Sequence, residues 1–194
     1  MSTVTINNSP VHDDTILTAV YGETGPSWAR WHTGTDFAPT GSTPRNPALY
    51  SVCTGQVYSK SYDGTLGNQI IIQDANTGNY WRYCHMKEPT TLNVGDQVNT
   101  GTQVGIMGDT GNVTGIHLHL EYATSPIWSY DTFLNPSTAL GIPNERGTIV
   151  KYDGSIPPVP PTPSEKRKKF PWFLYARKLR KWYWQKIMFI ILCL

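Results

Sequence analysis

Cysteine is scarce. The 194 residues hold three, Cys53, Cys84 and Cys193, an odd number without framework spacing. That excludes a disulfide-stapled scaffold and reads as free thiols in a chain made in a reducing compartment. Long apolar runs are missing too: the apolar end, residues 187–194, is eight residues long, against about 20 for a membrane span. The start, Met1-Ser2-Thr3-Val4-Thr5-Ile6-Asn7-Asn8, has no basic region followed by an apolar one, so no secretory signal is expected. No segment before residue 160 keeps a helical period over three turns. Acidic residues are nearly absent from one end. From Glu165 onward there are nine Lys/Arg and one acidic residue, leaving seven basic and thirteen acidic in the first 164.

That contrast divides the chain into an acidic domain, residues 1–154, a spacer, 155–164, and a basic tail, 165–194. The spacer, Ile156-Pro157-Pro158-Val159-Pro160-Pro161-Thr162-Pro163 at its centre, has polyproline composition. Residues 1 to about 30 are polar and turn-rich, and His12 beside Asp13 and Asp14 reads as an exposed loop histidine. From Trp31 onward, short strand-like segments alternate with glycine-containing corners. Residues 68–73 and 80–85 form a hairpin across Asn76-Thr77-Gly78-Asn79. The expected fold is all-β, an antiparallel β-sandwich or open barrel.

Four of the five histidines fall in three strand-like segments. In Ile116-His117-Leu118-His119-Leu120-Glu121 two rings project from one face of a strand, about 7 Å apart. Trp31-His32-Thr33-Gly34-Thr35-Asp36-Phe37 adds a histidine and a carboxylate. A straight strand would separate His32 from Asp36 by about 13 Å, so a bend at Gly34 is expected if both touch one ion. A catalytic zinc centre takes three such ligands and leaves a position for water. His32, Asp36 and one of His117 and His119 make that set. The other histidine of the pair and His85 are left for proton transfer, since no His-Glu-x-x-His helix supplies a glutamate base. Strand parity places His85 with Trp81 and Tyr83 and turns Cys84 away, as core packing. Gly108-Asp109-Thr110-Gly111-Asn112 reads as a tight turn leading into the His117 strand; it lacks the Lys and the following helix of a phosphate loop.

With these segments in this order the chain resembles the lysostaphin and LytM-type zinc endopeptidases of bacterial peptidoglycan. The likeness spans residues of about 17–137. It rests on His32 and Asp36, on Tyr83-Cys84-His85, and on His117 and His119, with Gly55-Gln56-Val57, Gly67-Asn68-Gln69 and Val94-Gly95-Asp96-Gln97-Val98 between them. The resemblance implies one Zn2+ per chain held by His32, Asp36 and His119, with His85 and His117 catalytic and Tyr21 lining the substrate cleft. It also implies amide hydrolysis by water activated at the metal. A short chain without an evident pro-segment or secretory signal points to a bacteriophage lytic enzyme, made in the host cytoplasm and released at lysis or carried on the virion. The rival readings are a silent wall-binding module and a membrane-permeabilising protein. The second would act through the tail, where Trp172, Tyr175, Leu179, Trp182 and Tyr183 share a helical sector opposite Arg177, Lys178, Arg180 and Lys181. That pattern suits an anionic membrane surface and not nucleic acid.

Overall fold

The computed structural model describes residues 2–155; the spacer from residue 156 and the whole basic tail lie outside the described residues. The sheet floor is built by four segments rich in Ile, Tyr and Leu: β5 (Gly55–Asp63), β6 (Gly67–Asp74), β7 (Tyr80–Met86) and β10 (Leu118–Ala123). The expected hairpin joins β6 to β7. Gly78 takes φ +75°, its N–H donates to Asp74 O at 2.9 Å, and Asp74 N–H donates to Asn79 O at 2.8 Å. A left-handed residue at that corner is what glycine permits without a Cβ penalty.

Period-2 alternation then sorts the side chains. Ile70 and Ile72 stand opposite Tyr83 and Trp81, and these stand opposite Leu120 and Tyr122. This face is the core, closed by Phe37, Leu17, Leu49 and Val104. Each large apolar side chain buried there contributes about 1.5–3 kcal/mol. The Tyr83 hydroxyl accepts from Val52 N–H at 2.9 Å, so its one polar atom is satisfied. The opposite face carries His119 beside Cys84 and Glu121 beside Arg82.

Around this floor run β1 (Thr3–Ile6), β2 (Thr15–Ala19), β3 (Thr35–Pro39), β8 (Gln97–Val98), β11 (Phe133–Leu134) and β12 (Ile149–Tyr152). Along the sheet the order is β1-β12-β2-β3-β10-β7-β6-β5-β8, with β11 on β10. A second, two-stranded sheet pairs β4 (Ala48–Tyr50) with β9 (Gln103–Ile106).

The fold is therefore mostly β, as expected, but mixed and not purely antiparallel: β1 runs parallel to β12, with Val4 opposite Val150. A short helix, α1 (Pro136–Leu140), follows β11. It is capped by Asn135, whose side chain accepts from Thr138 N–H, and is closed by left-handed Gly141. The first 30 residues are not all loop, because β1 and β2 lie within them. His12 is not exposed either: it is half-buried, stacked 3.6 Å from Tyr50 and 3.8 Å from Tyr152 between ring centroids.

Candidate metal centre

β3 pairs with β10 in a register that sets Asp36 directly opposite His119. His32 comes from the irregular segment before β3, which is tied back by His32 N–H donating to Glu23 O at 2.8 Å and Gly22 N–H donating to His32 O at 2.9 Å. Gly34 lies between them. A Cβ on it would stand 2.8 Å from His119 Cε1 and would also strike the Leu120 carbonyl. The chain bends at Gly34 as expected, bringing His32 Nε2 to within 3.1 Å of Asp36 Oδ1, and the glycine also allows close packing against the ring.

Each histidine has one nitrogen held by an acceptor, which fixes the tautomer presented to the cleft. His32 Nδ1 donates to Val20 O at 3.1 Å. His119 Nε2 faces Glu121 Oε1 at 3.1 Å. The remaining nitrogens converge: His32 Nε2 lies 3.0 Å from His119 Nδ1 and 3.1 Å from Asp36 Oδ1, which is 2.8 Å from His119 Nδ1. Among the described residues these three make the group able to hold a metal ion, and Cys84 is not in it. Cys84 is fully buried, as expected, but on the His119 face of the sheet.

The donor set demands a positive charge. Burial alone would lower the pKa of His119, yet the hydrogen bonds its ring donates to Asp36 and Glu121 raise it to about 9. Burial works in the opposite direction on Asp36, whose carboxyl is nonetheless held far below the usual range by His119 and His32. A positive charge at this position, from a proton or a metal ion, is therefore favoured. Two imidazoles and one carboxylate, all with outer partners, fit a zinc ion.

His85 and His117 complete the cluster, with ring centroids 4.8 Å apart. His85 reaches it in a way parity does not describe. Its φ is 58°, an irregularity within β7, and the ring leaves the face of Trp81 and Tyr83. The Gly108–Asn112 turn catches it, Thr110 O accepting from His85 Nδ1 at 2.9 Å, while Thr110 Oγ1 donates to Met86 O at 2.7 Å. Burial, reinforced by His117 and His119, lowers the His85 pKa to about 4, which keeps it neutral and leaves Nε2 as an acceptor. His117 Nδ1 donates to Gly115 O at 2.9 Å, and its Nε2 lies 3.7 Å from Asp36 Oδ2.

A cleft of about 460 Å³ opens over these groups, with Trp28, Trp31 and Tyr130 along one wall. Tyr21 stands behind that wall. Its hydroxyl donates to Phe133 O at 3.1 Å, and its ring packs edge-on against Trp31 at 4.9 Å.

Residues 30–131 match the sequence signature of peptidase family M23. The chain belongs to peptidase family M23. Its similarity to the peptidoglycan DD-endopeptidase ShyC of Vibrio cholerae is 29% identity over 147 residues, covering 76% of this chain and 31% of ShyC. Endolysin 2638A of Staphylococcus phage 2638A is 35% identical over 75 residues, 37% of this chain and 15% of the endolysin. The catalytic domain of lysostaphin from Staphylococcus simulans superposes with a TM-score of 0.58 at 24% identity, covering 66% of this chain and 92% of that domain. The chain spans about a third or less of the curated relatives it matches. In this member of peptidase family M23, His32, Asp36 and His119 are the group that could hold a zinc ion.

Sequence reasoning passed over the groups that hold this M23 site in place. Glu121 is 1% exposed. It takes Thr33 Oγ1 at 2.5 Å on one oxygen and Arg82 on the other, and Trp128 lies over the Arg82 guanidinium at 3.9 Å. Against burial, His119 and Arg82 hold the Glu121 carboxyl at about 2. The signal was available: Glu121 is two residues after His119 and shares its face.

Proposed function

We propose that the chain is a zinc-dependent endopeptidase that hydrolyses peptide bonds of bacterial cell-wall peptidoglycan. The observation that carries the reading is the convergence of His32 Nε2, Asp36 Oδ1 and His119 Nδ1 in an open cleft flanked by two further histidines. The name of ShyC supports the substrate class.

His32, Asp36 and His119 would hold a zinc ion, which when bound would supply Lewis-acid chemistry and lower the pKa of water toward ~7. The chain's own groups do the rest. The wall of Trp28, Trp31 and Tyr130 orients an extended peptide over the centre. His85, neutral, accepts the proton of the attacking water at Nε2 and returns it to the leaving nitrogen. His117 donates from Nε2 to the oxygen on which charge develops, in the doubly protonated form that its Nδ1–H bond to Gly115 O then requires.

The setting we propose is a bacteriophage lytic enzyme, acting on the wall at lysis or from the virion; the likeness to a phage endolysin supports it. Residues 1–154 are then the peptidase domain and 155–164 a spacer. Residues 165–194 would associate with an anionic membrane surface. Removing them should leave hydrolysis of purified wall intact and abolish retention on anionic vesicles.

The deciding experiment is digestion of purified peptidoglycan by wild type and His119→Ala, with zinc counted per chain and the fragments weighed by mass spectrometry. The reading requires about one zinc and new amino termini from the wild type, and neither from the variant. Zinc without bond cleavage on walls of several bacterial types would reject it in favour of a binding module.

A further inference from the structure

Of the three groups in the metal centre, His32 is the one that no strand carries. Asp36 and His119 face each other from β3 and β10, whereas His32 lies three residues before β3. Its place has to be set by other bonds, and these come from the turn of residues 20–23. That turn grips His32 at three atoms. Val20 O accepts from His32 Nδ1 at 3.1 Å, Glu23 O accepts from His32 N–H at 2.8 Å, and Gly22 N–H donates to His32 O at 2.9 Å. Glu23 also closes the turn on itself. Its N–H donates to Val20 O at 3.2 Å, and its Oε2 accepts from Val20 N–H at 3.2 Å. The carbonyl that orients the His32 ring therefore belongs to a residue whose two backbone polar groups are both bound by Glu23.

Glu23 is tethered in turn. Its Oε1 pairs with Arg146 Nη2 at 2.5 Å, and Asn144 Nδ2 donates to Tyr21 O, within the same turn, at 2.9 Å. The lead-in to β12 that bears Asn144 and Arg146 is fixed on β2, with Gly147 N–H donating to Leu17 O at 2.8 Å and Leu17 N–H donating to Thr148 O at 2.9 Å. One line of bonds thus runs from the sheet through Arg146 and Glu23 to the Val20 carbonyl and the His32 ring. The Arg146 side chain is 58% exposed, and a pair at such a surface adds little stability of its own. Its effect is on where the Glu23 carboxylate points. Glu23, Asn144 and Arg146 all lie outside residues 30–131, the span that carries the family match.

We infer that Glu23 is a positioning residue of the metal centre: it holds the Val20 carbonyl that aims His32 Nε2 at Asp36 and His119, and Arg146 and Asn144 hold its turn to the sheet. The inference rests on the zinc reading of that centre and adds to it a clasp built from the flanks of the domain. Groups that fix the second nitrogen of a ligating histidine set its orientation and with it the metal affinity.

The test uses the full chain and two readouts. One is zinc affinity by chelator competition. The other is the nitrogen-15 spectrum of the His32 ring in the zinc-free protein, where an Nδ1 proton held by Val20 O gives a slowly exchanging resonance. Glu23→Ala should weaken zinc about tenfold, the lower end of the range for outer partners, and lose that resonance. Glu23→Gln still offers Val20 N–H an acceptor and should restore the resonance and most of the affinity. Arg146→Ala should weaken zinc about threefold, as suits an exposed pair, and add nothing in the Glu23→Ala background. Unchanged zinc affinity or an unchanged His32 resonance in Glu23→Ala overturns the inference, as does an Arg146→Ala loss that persists in full without Glu23. If the wild type takes up no zinc while Glu23→Ala still loses the resonance, Glu23 positions the ring and it is the zinc reading that falls.

Discussion

Glu121 Oε1 stands 3.1 Å from His119 Nε2, on the side of the ring away from the metal position. The carboxylate cannot reach the ion, yet it decides which nitrogen of His119 faces it. Outer partners of this type typically change metal affinity by about 10- to 100-fold. Glu121→Ala should therefore weaken zinc binding by about that factor in chelator competition, with Glu121→Gln intermediate because it still offers an acceptor. Unchanged zinc affinity in both variants would refute the role.

Arg82 neutralises that buried carboxylate. Removing one partner of a buried pair costs about 3–5 kcal/mol because the other charge stays behind. Arg82→Ala should lose stability of that order in urea unfolding, and the double variant Arg82→Ala/Glu121→Ala should lose less than the sum of the single changes. Additive losses would mean the pair is not coupled.

Gly34 faces the His119 ring and the Leu120 carbonyl where a Cβ has no room. Gly34→Ala should cost about 1–3 kcal/mol through overpacking and lower zinc content in the same preparation. Full occupancy with wild-type stability would show that the strand shifts freely.

The zinc-free protein should be most stable near pH 6.5, where two histidine contributions of opposite sign meet. His119 has a folded pKa raised to about 9: its contribution is complete below the unfolded value of about 6.5 and is lost as pH rises to about 9. His85 is lowered to about 4, so its contribution is complete above 6.5 and is lost as pH falls toward 4. Zinc must displace the His119 proton, so its affinity should climb with pH up to about 9. Thermal unfolding with and without chelator across pH 4–9 checks both; a monotonic zinc-free profile would contradict them.

His85→Ala should keep its zinc while kcat falls by about 10²- to 10⁴-fold, the range for loss of a general base. Thr110 acts through its carbonyl and its hydroxyl: Thr110→Val removes the hydroxyl's bonds to Met86 O and from Asn68 N–H but keeps the carbonyl, and should cost a smaller factor. A variant pair with equal losses would show that the turn, not the ring, limits turnover.

Much of this site was legible in the chain. The two histidines of β10 were readable because period-2 geometry leaves little choice, and the β6–β7 hairpin because Asn-Thr-Gly-Asn admits a left-handed corner. His85 was found by a parity argument that its own φ of 58° breaks; the residue lies in the site because a distant turn holds it. β1 and β2 escaped notice since four- and five-residue strands bounded by polar turns show no period long enough to count. His12 looked like a loop residue because its stacking partners, Tyr50 and Tyr152, come from far along the chain. Long-range neighbours of that kind leave no local trace.

The parallel seam of β1 and β12 joins residues 3–6 to residues 149–152. During synthesis every ligand of the metal centre, from His32 to His119, leaves the ribosome before the strand that completes this edge. The β1 segment can therefore pair only once residues 149–152 have been made. Closing so long a loop is entropically costly, but the cost grows only slowly with length, so the seam ties the two ends of the described domain together around every ligand of the centre at little extra cost.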